Sequence, residues 1–150
     1  MNADYLNTVR LLLKVAPVAL GSEVFALKGG TAINLFVRDL PRLSVDLDLA
    51  YRRHTDARDV ALASIQSEIG KMASELTVMG FGVEAAKNPQ GDEVKLFVRE
   101  GQYRIKVEIN YVFRGTIRPI ERCDLSPAVE DQFFYGTDGA DARDGGVVWR

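Results

Sequence analysis

Two short stretches decide the fold, Lys28-Gly29-Gly30-Thr31 and Ser44-Val45-Asp46-Leu47-Asp48-Leu49. An apolar run over 24–27 precedes the first stretch and predicts a buried strand, and the pattern over 32–37 after it predicts a helix. The second stretch alternates polar and apolar residues, which predicts a strand over 44–50 with one polar face. The predicted order is therefore strand, glycine turn, short helix, loop and strand.

The glycine turn suits a phosphate group. Gly29 and Gly30 carry no Cβ atom, so their backbone can come close to a bulky anion. Backbone N–H groups at the start of the following helix would point at the anion, and the helix dipole favours negative charge there. Thr31 adds a hydroxyl donor and Lys28 a positive charge. The turn is interpreted as a nucleotide-binding loop, although two glycines before a helix are more often only a turn.

The alternation places Asp46 and Asp48 on the same face of their strand. Two carboxylates at close range repel each other, which makes the pair a poor structural feature. Mg²⁺ prefers oxygen ligands of this kind and also binds triphosphate oxygens. The two aspartates are therefore candidate metal ligands and catalytic residues, with an ordinary solvated strand face as the alternative. A loop that binds a nucleotide and a carboxylate pair that binds the metal of this nucleotide would form one site. Each interpretation therefore supports the other.

The other elements follow from the spacing of apolar residues. Helical spacing predicts amphipathic helices over 4–16 and 56–79, and Pro17 is expected to help end the first of them. Two strands are predicted over 93–100 and 103–112, the second with alternate apolar and polar residues.

Composition sets broad limits. The chain has 150 residues, which suits one domain, and it is 47% hydrophobic and 27% charged, as in an ordinary globular protein. The formal net charge of −2 gives no general attraction to nucleic acid, although it is compatible with a local basic patch. The single cysteine, Cys123, excludes an intramolecular disulfide and a cysteine-based zinc site. Without a recognisable signal peptide or membrane-spanning stretch in the sequence, a cytoplasmic protein is expected.

The end of the sequence differs from the rest. From about Gly136 it is rich in Gly and Asp and lacks an apolar period. This change predicts a core domain over 1–132 and an irregular tail over 133–150.

Two segments carry a resemblance to a known family, Leu27-Lys28-Gly29-Gly30-Thr31-Ala32 and Arg42-x-Ser44-x-Asp46-Leu47-Asp48-Leu49. Both closely resemble the AbiEii abortive-infection toxin family of nucleotidyltransferases. The match is specific across residues 26–50 and continues more loosely from Val107-Glu108-Ile109-Asn110-Tyr111 to Pro127. The resemblance implies an α+β fold with a DNA polymerase β-like minimal nucleotidyltransferase core, in which a mixed sheet is flanked by helices.

The resemblance also implies a function. The protein would be the toxin of a type IV toxin–antitoxin system, with an antitoxin encoded nearby, and would use Mg²⁺ to transfer a nucleotide from an NTP to an acceptor. In some similar toxins the acceptor is the 3′ end of tRNA. Members of the family usually carry a further, mostly helical half with a Lys-x-Asp type motif, which was not matched in this sequence. A truncated or minimal form is therefore expected, with a catalytically inactive module that binds nucleotide or antitoxin as the alternative.

The resemblance assigns roles to particular residues. Asp46 and Asp48 would bind metal, and Glu108 would supply the third catalytic carboxylate that is common in this fold, unless it is only a solvated strand residue. The expected nucleotide-binding residues are Lys28, Gly29, Gly30, Thr31, Arg42 and Ser44. Lys106 is a weaker candidate for nucleotide contact. Arg52, Arg53 and Arg58 could contact nucleic acid, although charge clusters of this kind are usually solvated faces. His54 is interpreted as a surface residue, and no nucleophilic role is expected for Cys123.

Overall fold

A computed structural model describes residues 3–29, 46–91 and 93–110. These residues form two helices and a five-stranded mixed sheet: α1 (Ala3–Leu20), β1 (Phe25–Lys28), β2 (Asp46–Tyr51), α2 (Arg58–Val78), β3 (Gly82–Lys87), β4 (Glu93–Glu100) and β5 (Tyr103–Asn110). The predicted α+β class and the mixed sheet with helices are confirmed, while the DNA polymerase β-like assignment stays a prediction. The predicted helix over 32–37, the loop over 38–43 and the tail over 133–150 lie outside the described residues.

The strand order across the sheet is β1-β2-β5-β4-β3. β2 and β5 are parallel, and the other neighbouring strands are antiparallel. Parallel neighbours need a long crossover connection, which here contains α2, β3 and β4. As a result β2, which carries Asp46 and Asp48, lies between the strand that leads into the glycine turn and the strand that carries Glu108.

One face of the sheet and both helices enclose a single apolar core. Alternate residues of the three inner strands point into it and are almost fully buried: Leu47, Leu49, Leu96, Val98, Ile105, Val107 and Ile109. Burying a side chain of this size contributes about 1.5–3 kcal/mol. A strand slipped by one residue would expose the whole set, so burial specifies which face of each strand turns towards the helices.

Helix α1 is longer than predicted. The expectation that Pro17 helps end it is wrong, because the helix continues to Leu20. A proline inside a helix removes a hydrogen bond and costs about 3 kcal/mol. Here Ala16, Ala19 and Leu20 are only 0%, 0% and 2% exposed. Burial of the last turn against the core offsets the cost of the proline.

Helix α2 confirms the predicted helix with slightly narrower bounds. Its buried stripe consists of Ala61, Ile65, Ile69, Met72 and Leu76. Val60 and Met79 were expected in the same stripe, but they are 53% and 51% exposed. The helix is rotated so that the small Ala61 faces the core in place of Val60.

Strand β3 was not predicted. Its sequence, Gly82-Val83-Glu84-Ala85-Ala86-Lys87, is poor in the β-branched and aromatic residues that favour strands. The segment is a strand because it pairs with β4 along its whole length, which no local pattern encodes. The other strands match their predictions to within two residues in the described ranges. Neither described helix is long and apolar enough to cross a membrane.

Candidate functional site

The face of the sheet opposite the helices, called here the polar face, carries the predicted catalytic residues. In β2 the buried leucines alternate with Asp46 and Asp48, so both aspartates lie on this face. Register places Lys28 opposite Asp48 on one side and Glu108 opposite Asp48 on the other. The structure thus brings together in one row three residues that are far apart in the sequence.

The first glycine of the predicted turn lies close to Asp48. Gly29 has a φ angle of +81°, in the left-handed region that residues with a Cβ atom rarely adopt. A Cβ atom added to Gly29 would lie 3.3 Å from Oδ2 of Asp48 and 3.9 Å from its Cβ atom. The backbone at Gly29 therefore approaches the Asp48 carboxylate in a space that a side chain would fill. Gly30 and Thr31, the other two turn residues, lie outside the described residues.

A chain of ion pairs crosses the polar face beside the aspartates. Nζ of Lys106 lies 3.0 Å from Oε2 of Glu108 and 3.5 Å from Oδ2 of Asp46. Nζ of Lys95, on β4, lies 3.1 Å from the other carboxylate oxygen of Glu108. Glu108 thus forms ion pairs with two lysines, and one of them, Lys106, also contacts the predicted metal ligand Asp46.

These contacts shift the pKa values of both partners. Burial raises the pKa of Glu108, but hydrogen bonds from Lys106 and Lys95 outweigh it, so the pKa lies below the ordinary value for glutamate. The hydrogen bond with Glu108 raises the pKa of Lys106 in spite of burial, and the negative charge of Asp46 adds to this effect. Near neutral pH, Glu108 is therefore anionic and a weak base, and Lys106 is cationic.

Asp46 and Asp48 have the donor chemistry that a divalent cation needs. Their oxygens lie on one face of one strand, and the Asp46 side chain is 39% exposed and so open to a ligand. Within 3–29, 46–91 and 93–110, no three His, Cys, Asp or Glu side chains form a group that could hold a metal ion. Mg²⁺ is commonly bound by one or two carboxylates together with substrate phosphates, so a carboxylate pair fits that ion.

The structure describes only some of the other residues singled out in the sequence. Lys28 is exposed at the end of β1, beside Asp48. Arg42 and Ser44 lie outside the described residues, so their nucleotide-binding roles stay predictions, and Cys123 lies outside them as well. His54 is exposed in the turn that follows β2, at the end of the strand away from Asp46, which agrees with its interpretation as a surface residue.

Sequence reasoning missed two features of the polar face, Lys95 and the contact between Phe97 and Arg104. The guanidinium carbon of Arg104 lies 3.8 Å from the centroid of the Phe97 ring. Alternation within β4 could have placed Lys95 and Phe97 on one face. Their neighbours on β5 also follow from the sequence, because the two-residue connection Gly101-Gln102 fixes the register of the β4–β5 hairpin.

Comparison with known proteins identifies the family of the chain. A profile of the family described as nucleotidyl transferase AbiEii toxin, type IV toxin–antitoxin system, matches residues 10–142. Neither a search of curated proteins nor a search of solved structures finds a match. The matched region covers most of the chain and includes both the glycine turn and the aspartate strand. The protein therefore belongs to the AbiEii nucleotidyl transferase toxin family of type IV toxin–antitoxin systems.

Proposed function

We propose that this protein is a metal-dependent nucleotidyltransferase that transfers a nucleotide from an NTP to an acceptor hydroxyl. The observation that carries the proposal is the approach of the Gly29 backbone to the Asp48 carboxylate, with Asp46 on the same face. A phosphate at the turn and a cation at the aspartates would then be neighbours, as phosphoryl-type transfer requires. Family membership supports the same class of reaction.

The glycine turn would bind the β- and γ-phosphates of the NTP. A backbone without side chains allows the close approach, and its N–H groups donate to phosphate oxygens. Lys28 and Lys106 flank the aspartates on the two neighbouring strands. Their ammonium groups would offset the charge of the triphosphate, which two carboxylates would otherwise repel.

Asp46 and Asp48 would hold Mg²⁺. Bound there, the ion would stabilise charge on the leaving pyrophosphate and lower the pKa of the acceptor hydroxyl. Glu108 has both oxygens paired with lysines and a lowered pKa, which makes it a poor proton acceptor. Its proposed role is to position Lys106 beside the phosphates.

The biological setting follows from the family. A type IV toxin implies an antitoxin partner, and we expect its gene next to this one. We also expect the protein to act in the cytoplasm, on an acceptor such as the 3′ end of tRNA. Co-expression of the neighbouring gene should relieve growth arrest caused by this protein, and unrelieved arrest would contradict the pairing.

Transfer can be tested with purified protein, NTPs labelled at the α-phosphate, Mg²⁺ and total RNA. The wild type should label RNA, and EDTA should stop the reaction. Asp46→Asn and Asp48→Asn should each abolish labelling and leave the melting temperature nearly unchanged, because both residues lie outside the apolar core. Glu75→Gln, an exposed position on α2, is the matched control and should keep full activity.

The outcomes separate the candidate functions. Full activity in either aspartate variant would overturn the metal assignment. Tight nucleotide binding by the wild type without any labelling would instead favour a binding module that transfers nothing.

A further inference from the structure

An aromatic side chain lies on the polar face close to the proposed site. Phe97 on β4 is half-buried, and its partner across the strand pair is Lys106, whose ammonium group contacts Asp46. Two strand spacings, about 10 Å, separate Phe97 from Asp46. A partly exposed ring this close to the proposed phosphate site is within reach of a nucleotide bound there.

The ring is already in contact with a cation. Arg104 is exposed, and its guanidinium carbon lies 3.8 Å from the Phe97 ring centroid. A guanidinium stacked on an aromatic ring presents a flat surface with positive charge. Nucleobases stack on aromatic rings and guanidinium planes, and this combination recurs where proteins bind single-stranded nucleic acid.

The same surface carries a second arginine, whose position does not stabilise the fold. Arg99 lies directly opposite Arg104 in the β4–β5 pair, and both are exposed. Like charges directly opposite each other destabilise a strand pair. In the described part of the chain, neither arginine forms an ion pair with a carboxylate. Such an arrangement is expected where a polyanion supplies the missing negative charge.

The positive charge on this surface also extends beyond the region that one bound NTP would contact. Lys106 lies beside Asp46, whereas Arg104 and then Arg99 lie progressively farther along the sheet. The exposed Glu84 on β3, opposite Phe97, bounds the surface on its outer side. A run of positive charge leading away from the site fits a strand with several phosphates.

We infer that the polar-face residues Phe97, Arg99 and Arg104, called here the β4–β5 platform, bind the unpaired end of a single-stranded nucleic acid acceptor. A base stacks on Phe97 and Arg104, and the arginines contact phosphates. As a route to the acceptor hydroxyl, the platform rests on the proposed function. As a binding surface, it can be measured without any transfer.

The first experiment measures binding of a fluorescently labelled single-stranded oligoadenylate to the full chain by anisotropy, with no NTP or Mg²⁺. Phe97→Leu keeps apolar volume but removes the ring, and should weaken binding on the order of tenfold with little change in salt dependence. Arg99→Gln should weaken binding and reduce the slope of log K against log salt by about 0.7. Arg58→Gln, an exposed arginine on α2, is the matched control and should bind like the wild type.

The second experiment separates the platform from the transfer chemistry. Asp46→Asn should bind the oligonucleotide as well as the wild type does, even though it transfers nothing. In the transfer reaction, the Phe97→Leu variant should have a higher KM for the acceptor than the wild type and the same KM for the NTP.

Three results would overturn the inference. One is wild-type oligonucleotide binding by both Phe97→Leu and Arg99→Gln. Another is an equal loss in the Arg58→Gln control, which would indicate nonspecific attraction. The third is a raised KM for the NTP alone in Phe97→Leu, because the ring would then stack on the incoming base.

Discussion

At the residue scale, Gly29 combines two constraints that usually occur separately. Its φ angle of +81° disfavours any side chain, and an added Cβ atom would lie 3.3 Å from Oδ2 of Asp48, which is a tight contact. Gly101 shares the first constraint with a φ angle of +60°, but no atom lies within 4 Å of its added Cβ position. Comparing the two glycines isolates the effect of the contact with Asp48.

We expect Gly29→Ala to lower the free energy of unfolding by roughly 1–2 kcal/mol through backbone strain and to abolish nucleotide binding. Gly101→Ala should cost a similar amount of stability but leave nucleotide binding unchanged. Gly70→Ala, inside α2 with open space around it, should instead stabilise by about 0.8–1 kcal/mol. Urea unfolding and nucleotide titration measure both quantities. Normal nucleotide binding by Gly29→Ala would remove the turn from the site.

Lys106 supports a second prediction at this scale. Lys106→Gln removes the ammonium group between Asp46 and Glu108 and should raise KM for the NTP roughly tenfold or more, because charge-assisted hydrogen bonds contribute about 1.5–3 kcal/mol. Lys95→Gln also removes a contact of Glu108, but Lys95 lies on the side of Glu108 away from Asp46. Steady-state kinetics on both variants should show a much smaller effect for Lys95→Gln. Equal effects would mean that Lys106 acts only by keeping Glu108 in place.

At the element scale, polar contacts as well as apolar packing connect α2 to the rest of the fold. The carboxylate of Glu68 on α2 lies 2.8 Å from Nζ of Lys71 and also accepts a hydrogen bond from Ser22, in the turn between α1 and β1. Lys71 makes the largest contribution to lowering the pKa of Glu68, burial opposes it, and Ser22 and Arg53 add to the lowering.

This lowered pKa predicts a pH dependence with a definite sign. The folded protein releases the Glu68 proton more readily than the unfolded chain does, so the carboxylate stabilises the fold above its ordinary pKa. The stabilisation is lost as the pH falls through the lower, folded-state value. Glu68→Gln should therefore lower the free energy of unfolding near pH 7 by less than about 1 kcal/mol, with a smaller difference from the wild type in acid. Glu75→Gln on the same helix is the control. A difference in stability between Glu68→Gln and the wild type that grows in acid would contradict the assignment.

Two elements show the limits of local rules. Pro17 predicted an early end to α1, yet the buried last turn keeps the helix intact. β3 has little intrinsic strand preference, yet it completes the sheet by pairing with β4. In both cases tertiary contacts outweigh a local preference of a few kcal/mol at most.

At the scale of the whole molecule, the sheet separates stability from chemistry. Its helix-facing side belongs to the apolar core, while its polar face carries the charged residues of the proposed site. Substitutions on the polar face can therefore change ligand binding without removing apolar contacts. This separation makes ligand-induced stabilisation a direct test of the site.

A nonhydrolysable NTP analogue together with Mg²⁺ should raise the melting temperature of the whole protein. A ligand at about 100 times its Kd stabilises the native state by about 2.7 kcal/mol. The analogue without a divalent cation should have a much smaller effect, and Asp48→Asn should abolish the metal-dependent part. A shift of equal size with and without Mg²⁺ would show that the nucleotide binds without a metal at the aspartates.

In the strands that were predicted, the sequence by itself determined which residues face the core and which face away, because side chains alternate strictly along a strand. Asp46, Asp48 and Glu108 could be assigned to polar faces in this way, and the glycine turn could be recognised before a predicted helix. Only the tertiary structure decided which polar residues meet. The strand order and register bring Lys28 and Glu108 to Asp48, and Lys106 to Asp46, because pairing between distant strands depends on the burial of the whole core and no local preference encodes it.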